Sequence, residues 1–182
     1  MSQVEICSGY AGREAALSEL FRTTFTASEG PQEGALLGDF VADLMRETPP
    51  DDVRAFCMSE AEALVAGVFF TPLRYAQDDR QVWLLSPMAV RPDRQGQGLG
   101  QRLIRHALDS LHKAGADIVL SYGDPAFYGR VGFAPVTAAQ AAPPHRLSMP
   151  QGWIGQALGA VSFTPLTGEA RCVPAFDRPE LW

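Results

Sequence analysis

Three glycines at alternate positions, Gly96, Gly98 and Gly100, stand in the stretch VRPDRQGQGLGQRLI, with Arg91, Arg94, Arg102 and Arg105 around them. The stretch joins an apolar run that reads as a strand to a periodic run that reads as a helix. A helix start offers unpaired N–H groups and a partial positive charge, and glycines let an anion come close to the backbone. Phosphate suits that combination. A P-loop is excluded, because no Lys-Ser or Lys-Thr follows the glycines. A dinucleotide fingerprint, G-x-G-x-x-G, is missed by one residue and requires successive parallel βαβ units. Taken alone, the glycines are better explained by a tight strand-to-helix turn, a reading that must also account for the four flanking arginines and a second motif after the helix.

A second stretch, GDPAFYGRVGF, places Tyr128 beside Phe127. A phenol there can donate a proton, or the pair can simply be packing. Asp124-Pro125 reads as a helix start, with Asp as N-cap and Pro in the first position. The strand segment from Gln81 to Val90 holds no Asp or Glu to serve as a base, although Ser86 could position a water.

These residues need a frame. Val4 to Cys7 reads as a first strand. Leu17, Leu20, Phe21 and Phe25 recur at helical spacing, and a second helix after Gly30-Pro31 puts Leu36, Leu37, Phe40, Val41, Leu44 and Met45 on one stripe, ending at Pro49 and Pro50. VRAFCMS and LVAGVFFT follow as strands, and the EAEA between them is too short for a parallel crossover. A polar loop, RYAQDDRQ, leads to the strand VWLLSPMAV, so the middle of the chain is predicted to be an antiparallel meander. After the glycines, Leu99, Leu103, Ile104, Ala107, Leu108 and Leu111 predict a helix, stopped by Gly115 and followed by a parallel strand, DIVLSY. Seven of fourteen prolines lie beyond Ala134, where AVSFTPL and EARCVPAF read as short edge strands. The expected division is a core over residues 1–136 with an extension, 137–182, packed on the same domain.

Bulk properties remove other classes. A length of 182 residues with 46% hydrophobic and 20% charged content suits one globular domain. A formal net charge of −6 argues against a nucleic-acid partner. No basic-apolar leader and no membrane-length apolar run is visible, so the expected location is the cytoplasm with no membrane partner. Cys7, Cys57 and Cys172 form no CxxC pair or Cys/His cluster, so no metal is expected and free thiols are the reading.

Together the two stretches resemble the GNAT superfamily of N-acetyltransferases. Gln95, Gly98 and Gly100 match its Gln/Arg-x-x-Gly-x-Gly/Ala signature, Met88-Ala89-Val90 matches its Leu/Met-x-Val strand end, and Tyr128, Gly132 and Phe133 match its Tyr-x-x-x-Gly-Phe motif. The likeness spans residues 4–136, and the wording resembles a bacterial subgroup of acetyltransferases with a C-terminal extension. It implies an α+β fold with a mixed sheet: antiparallel strands, then a βαβ unit, with the fourth and fifth strands splayed. It also implies acetyl-CoA as donor and a small-molecule or peptide amine as acceptor, attacking directly; family members are often homodimers.

By the same resemblance, Arg94, Gln95, Gly96, Gln97, Gly98, Leu99, Gly100 and Gln101 would hold the CoA diphosphate. Met88, Ala89 and Val90 would hold the pantetheine arm, with the Met88 N–H on the thioester carbonyl. Tyr128 would be the general acid. Pro87, which has no N–H for a ladder, suits the place where the strands part. The acceptor would lie between the first two helices and the extension, with Glu29, Glu33, Trp153 and Phe176 as candidate lining. Two other readings stay open: an acyl-CoA-binding regulatory module without turnover, kept open by the missing strand carboxylate, and a nucleotide-binding oxidoreductase, weakened by the glycine spacing.

Overall fold

The computed structural model describes residues 3–160 and 162–182. Eight strands and four α-helices are found among them. The sheet has the hydrogen-bonding order β1-β2-β3-β4-β5-β7-β6, where β6 is the two-residue strand Ala134–Pro135, with β8 attached to β3. It is mixed: β4 (Asp78–Val90) and β5 (Ile118–Tyr122) run parallel, and α3 (Leu99–Lys113) connects them. This is the predicted α+β arrangement, with a βαβ crossover after an antiparallel meander.

The chain divides into two compact units, one made by the chain up to Phe70 with Pro87–Ile104, the other by Thr71–Ser86 and Arg105–Trp182. In the first, β1 (Val4–Ser8) pairs antiparallel with β2 (Arg54–Glu60), which pairs antiparallel with the first part of β3 (Ala63–Tyr75). The tight β2–β3 turn is Ala61-Glu62, both with positive φ (47° and 68°) as a two-residue hairpin of this type requires. Helix α1 (Glu14–Glu29) packs Leu17 against Gly67 of β3, where an added Cβ would stand 2.9 Å from Leu17 Cδ2. Phe21 meets Phe69 at 5.8 Å between ring centroids.

Helix α2 (Pro31–Glu47) departs from the expected stripe. Its buried residues are Gly34, Gly38, Val41, Leu44 and Met45, whereas Leu36 is 61% exposed. The reason is the close approach of α1: an added Cβ on Gly34 would meet Thr26, and one on Gly38 would meet Arg22. Ser18 Oγ donates to the Gly38 carbonyl at 2.7 Å. Small residues, not the leucine, mark the contact face.

In the second unit the sheet continues through β5 to β7 (Trp153–Ala157), antiparallel and in register from Ile118↔Ala157 to Tyr122↔Trp153. β7 was not foreseen. Its segment, WIGQA, carries Gly155, which reads as a breaker; here the glycine admits Leu120, whose Cδ2 would lie 2.5 Å from an added Cβ. The expected strand AVSFTPL is irregular over its described residues, Val161 lying outside them, and EARCVPAF gives only β8 (Ala170–Arg171) before Pro174 starts a 3-10 turn. RYAQDDRQ is also not a loop. Arg74 and Tyr75 end β3, Asp78 begins β4, and only Ala76-Gln77 turns between them. Asp78 is ion-paired with Arg80, two residues along the same strand, at 2.7 Å, and that hydrogen bond, ahead of backbone donors, keeps its carboxyl far below the usual range.

Helix α3 has the expected stripe: Leu99, Leu103, Ile104, Ala107, Leu108 and Leu111 are all buried. It closes at Gly115, whose φ of 99° suits glycine. No helix is long and apolar enough to cross a membrane, and no cluster of potential metal ligands occurs, among the described residues.

Candidate active site

The candidate residues fall into two groups, one in each unit. In the first, β4 ends with alternating exposure: Met88 and Val90 are half-buried and Ala89 is buried, as a strand with a period of two requires. A short 3-10 turn (Pro92–Arg94) follows, then the glycine turn, then α3 from Leu99. Gly96 and Gly98 have φ of 73° and 74°, and nothing lies within 4 Å of where a Cβ would stand on either. Gly96, Gln97 and Gly98 are exposed, while Leu99 and Gly100 are buried as the helix begins. Its first N–H groups have no intrahelical acceptors, so this open concave backbone is suited to an anion.

The side chains around the turn are more occupied than the sequence suggests. Arg91 grips Asp93 with two bonds, of 2.6 and 3.0 Å, which lower the Asp93 pKa. Arg94 is ion-paired with Glu60, and its Nε donates to Gln97 Oε1 at 3.2 Å. Arg102 donates to the Val4 carbonyl at 3.4 Å, and Arg105 to the Arg130 carbonyl at 3.0 Å. Two of the four arginines therefore carry a carboxylate with them, which reduces the positive potential expected at the turn. Gln95 folds back, its Nε2 donating to the Val90 carbonyl at 3.0 Å. That carbonyl also accepts from Thr24 Oγ1 at 3.5 Å. Gln101, on the first turn of α3, is half-buried.

In the second unit, the parallel β4–β5 ladder runs from Val82↔Ile118 to Leu85↔Ser121 and ends there. The next residue of β5, Tyr122, is paired on its other side with Trp153. The next residues of β4 are Ser86 and Pro87, so pairing stops where the proline removes a donor.

Tyr128 ends the one-turn helix α4 (Pro125–Tyr128), whose N-cap is Asp124; its carboxylate accepts from the Ala126 N–H at 2.9 Å. Asp124 thus has the structural role its sequence context indicates. The Tyr128 ring sits edge-on to Phe127 at 5.0 Å and to Phe133 at 5.5 Å. Gly123 makes room for it, since an added Cβ there would lie 2.8 Å from Tyr128 Cε2. Ser121, beside the Tyr128 ring, is 1% exposed, and its hydroxyl donates to the Leu85 carbonyl at 2.9 Å. Burial pushes the Tyr128 pKa up to about 12, the Asp124 charge acts in the same direction, and the neighbouring Ser121 opposes them. Tyr128 is therefore a protonated donor throughout the physiological range.

Sequence reasoning did not single out Ser121. Its signal was a lone hydroxyl in the apolar run DIVLSY, placed where the strand ends.

Two cavities adjoin Tyr122. One of about 60 Å³ is lined by Leu84, Ser86, Tyr122, Phe176, Leu181 and Trp182. The other, of about 400 Å³, lies between Tyr122–Pro125 and Ser148, Met149, Gln151 and Gly152. Of the expected acceptor-lining residues, Phe176 faces the smaller cavity; Glu29, Glu33 and Trp153 line neither. Trp153 is 1% exposed, with its indole N–H on the Ala141 carbonyl at 2.9 Å.

Residues 52–135 match the family model described as an acetyltransferase (GNAT) domain. The N-acetyltransferase YjhQ of Escherichia coli K12 is 30% identical over 139 residues, 74% of this chain and 76% of that protein. The chain belongs to the GNAT acetyltransferase family.

A second relative of this GNAT chain, the N-acetyltransferase YhbS of the same strain, is 40% identical over 76 residues, which are 41% of this chain and 46% of that protein. Among solved structures, E. coli YhbS in complex with CoA is similar with a TM-score of 0.78 at 24% identity, covering 98% of this chain and 94% of that one. A GNAT acetyltransferase from Brucella melitensis in complex with acetyl-CoA follows at 0.74 and 21%, covering 97% and 100%. At these identities the likeness is one of fold.

Proposed function

We propose that this chain transfers an acetyl group from acetyl-CoA to the amine of a small molecule or peptide by direct attack, with Tyr128 as the general acid. The observation that carries this reading is the end of the β4–β5 ladder at Leu85↔Ser121, with the Tyr128 hydroxyl neighbouring Ser121. The fit to the donor rests on the open turn: positive-φ glycines with clear space over them, at a helix start, leave room for a diphosphate.

Acetyl-CoA supplies the acetyl group as an activated thioester. Gly96, Gln97, Gly98, Leu99, Gly100 and Gln101 hold its diphosphate through backbone N–H groups. Arg94 and Gln95 flank them, Arg94 shared with Glu60 and Gln95 turned towards Val90. Met88, Ala89 and Val90 align the arm. The Val90 carbonyl already accepts from Gln95, so its N–H is the group that serves. The Met88 N–H donates to the carbonyl oxygen as charge develops there; one such donor contributes about 3 kcal/mol.

Tyr128 donates at the sulfur. Because its pKa stands at about 12 and a thiol's at about 8.5, full transfer of the proton is uphill. Tyr128 shares its proton with the departing sulfur rather than surrendering it early. With no carboxylate from Gln81 to Val90, the acceptor loses its proton to water.

The core over residues 1–136 carries this chemistry, and the extension, 137–182, shapes the approach to Ser86 and Tyr122. A cytoplasmic enzyme, with a homodimer as one form of assembly, accords with the reading. The test is release of CoA from acetyl-CoA across a panel of amines, with thermal stabilisation by acetyl-CoA and none by NAD. Stabilisation without turnover for any amine would instead support a binding module.

A further inference from the structure

The glycine turn is held by hydrogen bonds at its flanks and by side-chain tethers, with no packing over its glycines. No atom lies within 4 Å of the Cβ positions of Gly96 and Gly98, and the backbone there is exposed. Three tethers are local: Arg91 to Asp93, Gln95 to the Val90 carbonyl, and Gln97 Nε2 to the Asp93 carbonyl at 3.5 Å. A fourth reaches another element. Arg94 pairs with Glu60, the last residue of β2, while its Nε holds Gln97 inside the turn at 3.2 Å. Both side chains of the Arg94–Glu60 pair are only 20% exposed, so salt and water screen it less than a surface pair. Glu60 is itself fixed, being paired with Ala63 immediately before the two left-handed residues Ala61 and Glu62.

We infer that Glu60 is a positioning residue for the diphosphate-binding turn. Through Arg94 and Gln97 it holds Gly96–Gly98 in its receiving shape before the ligand arrives. Glycine makes that shape accessible but does not select it, because glycine loses more freedom on ordering than any other residue. Ordering the turn in advance removes that cost from the binding step. The role rests on the reading that this turn holds the CoA diphosphate. The opposite role, in which the carboxylate competes with the diphosphate for Arg94, predicts the reverse response to mutation.

The experiment is calorimetric titration of CoA into the full chain and its Glu60→Ala, Glu60→Gln, Arg94→Ala and double Glu60→Ala/Arg94→Ala variants. A hydrogen-exchange measurement on the ligand-free proteins accompanies it. Glu60→Ala is expected to weaken CoA binding about ten-fold, the range between an exposed and a buried pair. Glu60→Gln, which keeps an acceptor oxygen for the guanidinium, weakens it less and serves where the alanine variant folds poorly. In the Arg94→Ala background, Glu60→Ala adds nothing. Amides of Arg94 and Gln95, which donate to the Arg91 and Pro92 carbonyls, exchange faster in ligand-free Glu60→Ala, while those of Phe56–Met58 do not.

Unchanged or tighter CoA binding in Glu60→Ala and Glu60→Gln, or losses that add in the double variant, would overturn the role. Wild-type protein without affinity for CoA would instead remove the reading of the turn as a diphosphate site. The exchange measurement needs no ligand and tests the tether separately.

Discussion

Ser121 and Leu85 are the last paired residues of the parallel ladder, and the Ser121 hydroxyl donates to the Leu85 carbonyl at 2.9 Å across it. The Tyr128 hydroxyl neighbours the same serine, which acts to lower its pKa. One buried serine thus closes the ladder beside the proposed acid. Ser121→Ala removes the bond to Leu85 and leaves a buried carbonyl without its side-chain partner. The expected cost is about 1–3 kcal/mol of stability, read from urea midpoints, with a fall in kcat that exceeds any change in the KM for acetyl-CoA. A kcat equal to wild type would mean that Ser121 only staples strands.

Tyr128→Phe keeps the ring contacts to Phe127 and Phe133 and deletes the donor. Turnover is expected to fall by about 10²–10⁴-fold, the usual range for positioned acid–base groups, with CoA affinity unchanged by calorimetry. Because the Tyr128 pKa is pushed up to about 12, wild-type kcat shows no descending limb from this residue below about pH 10. Retained turnover in the phenylalanine variant would assign the acid elsewhere.

Gly123→Ala tests the same ring from behind. Its new methyl would stand 2.8 Å from Tyr128 Cε2, closer than real contacts allow, so the ring must move. Displacement of a catalytic group by about 1 Å can cost on the order of 10²-fold. The expected result is a reduced kcat with a normal CoA affinity. Equal loss of both would indicate general damage to the fold.

Alkaline stability follows from four groups held neutral by the fold. Burial raises Cys57 from 9.0 to about 12, Cys172 from 9.0 to about 11 and Tyr128 from 10.0 to about 12, and Tyr75 moves in the same direction. The folded state holds these protons to higher pH than the unfolded chain does. Their contribution is complete below the unfolded values and disappears as pH rises through the folded ones. Urea midpoints should therefore fall steadily from about pH 9 to about pH 12, and Cys57→Ser should flatten the slope. A flat profile would show that these groups are not protected.

Much of this arrangement was legible in the residues, for identifiable reasons. The α3 stripe and the strand ends at Val90 and Tyr122 are periodic signals with breakers beside them, and local patterns of that kind survive folding. The Asp124-Pro125 start is equally local. What was not legible depends on partners distant in sequence. Gly34 and Gly38 became a contact face only because α1 lies against them, which left Leu36 exposed. Gly155 is compatible with a strand because Leu120 fills its place. The arginines around the glycine turn read as a positive patch, yet the partner of Arg94 is Glu60, thirty-four residues earlier. Ser121 carries no motif at all.

The most direct measurement is amide hydrogen exchange of the wild-type protein with and without CoA. The account predicts slowed exchange in two places: Gly96–Gln101, where backbone N–H groups receive the diphosphate, and Met88–Val90, where the strand end receives the arm. An unchanged pattern at both, with CoA present at saturating concentration, would contradict it.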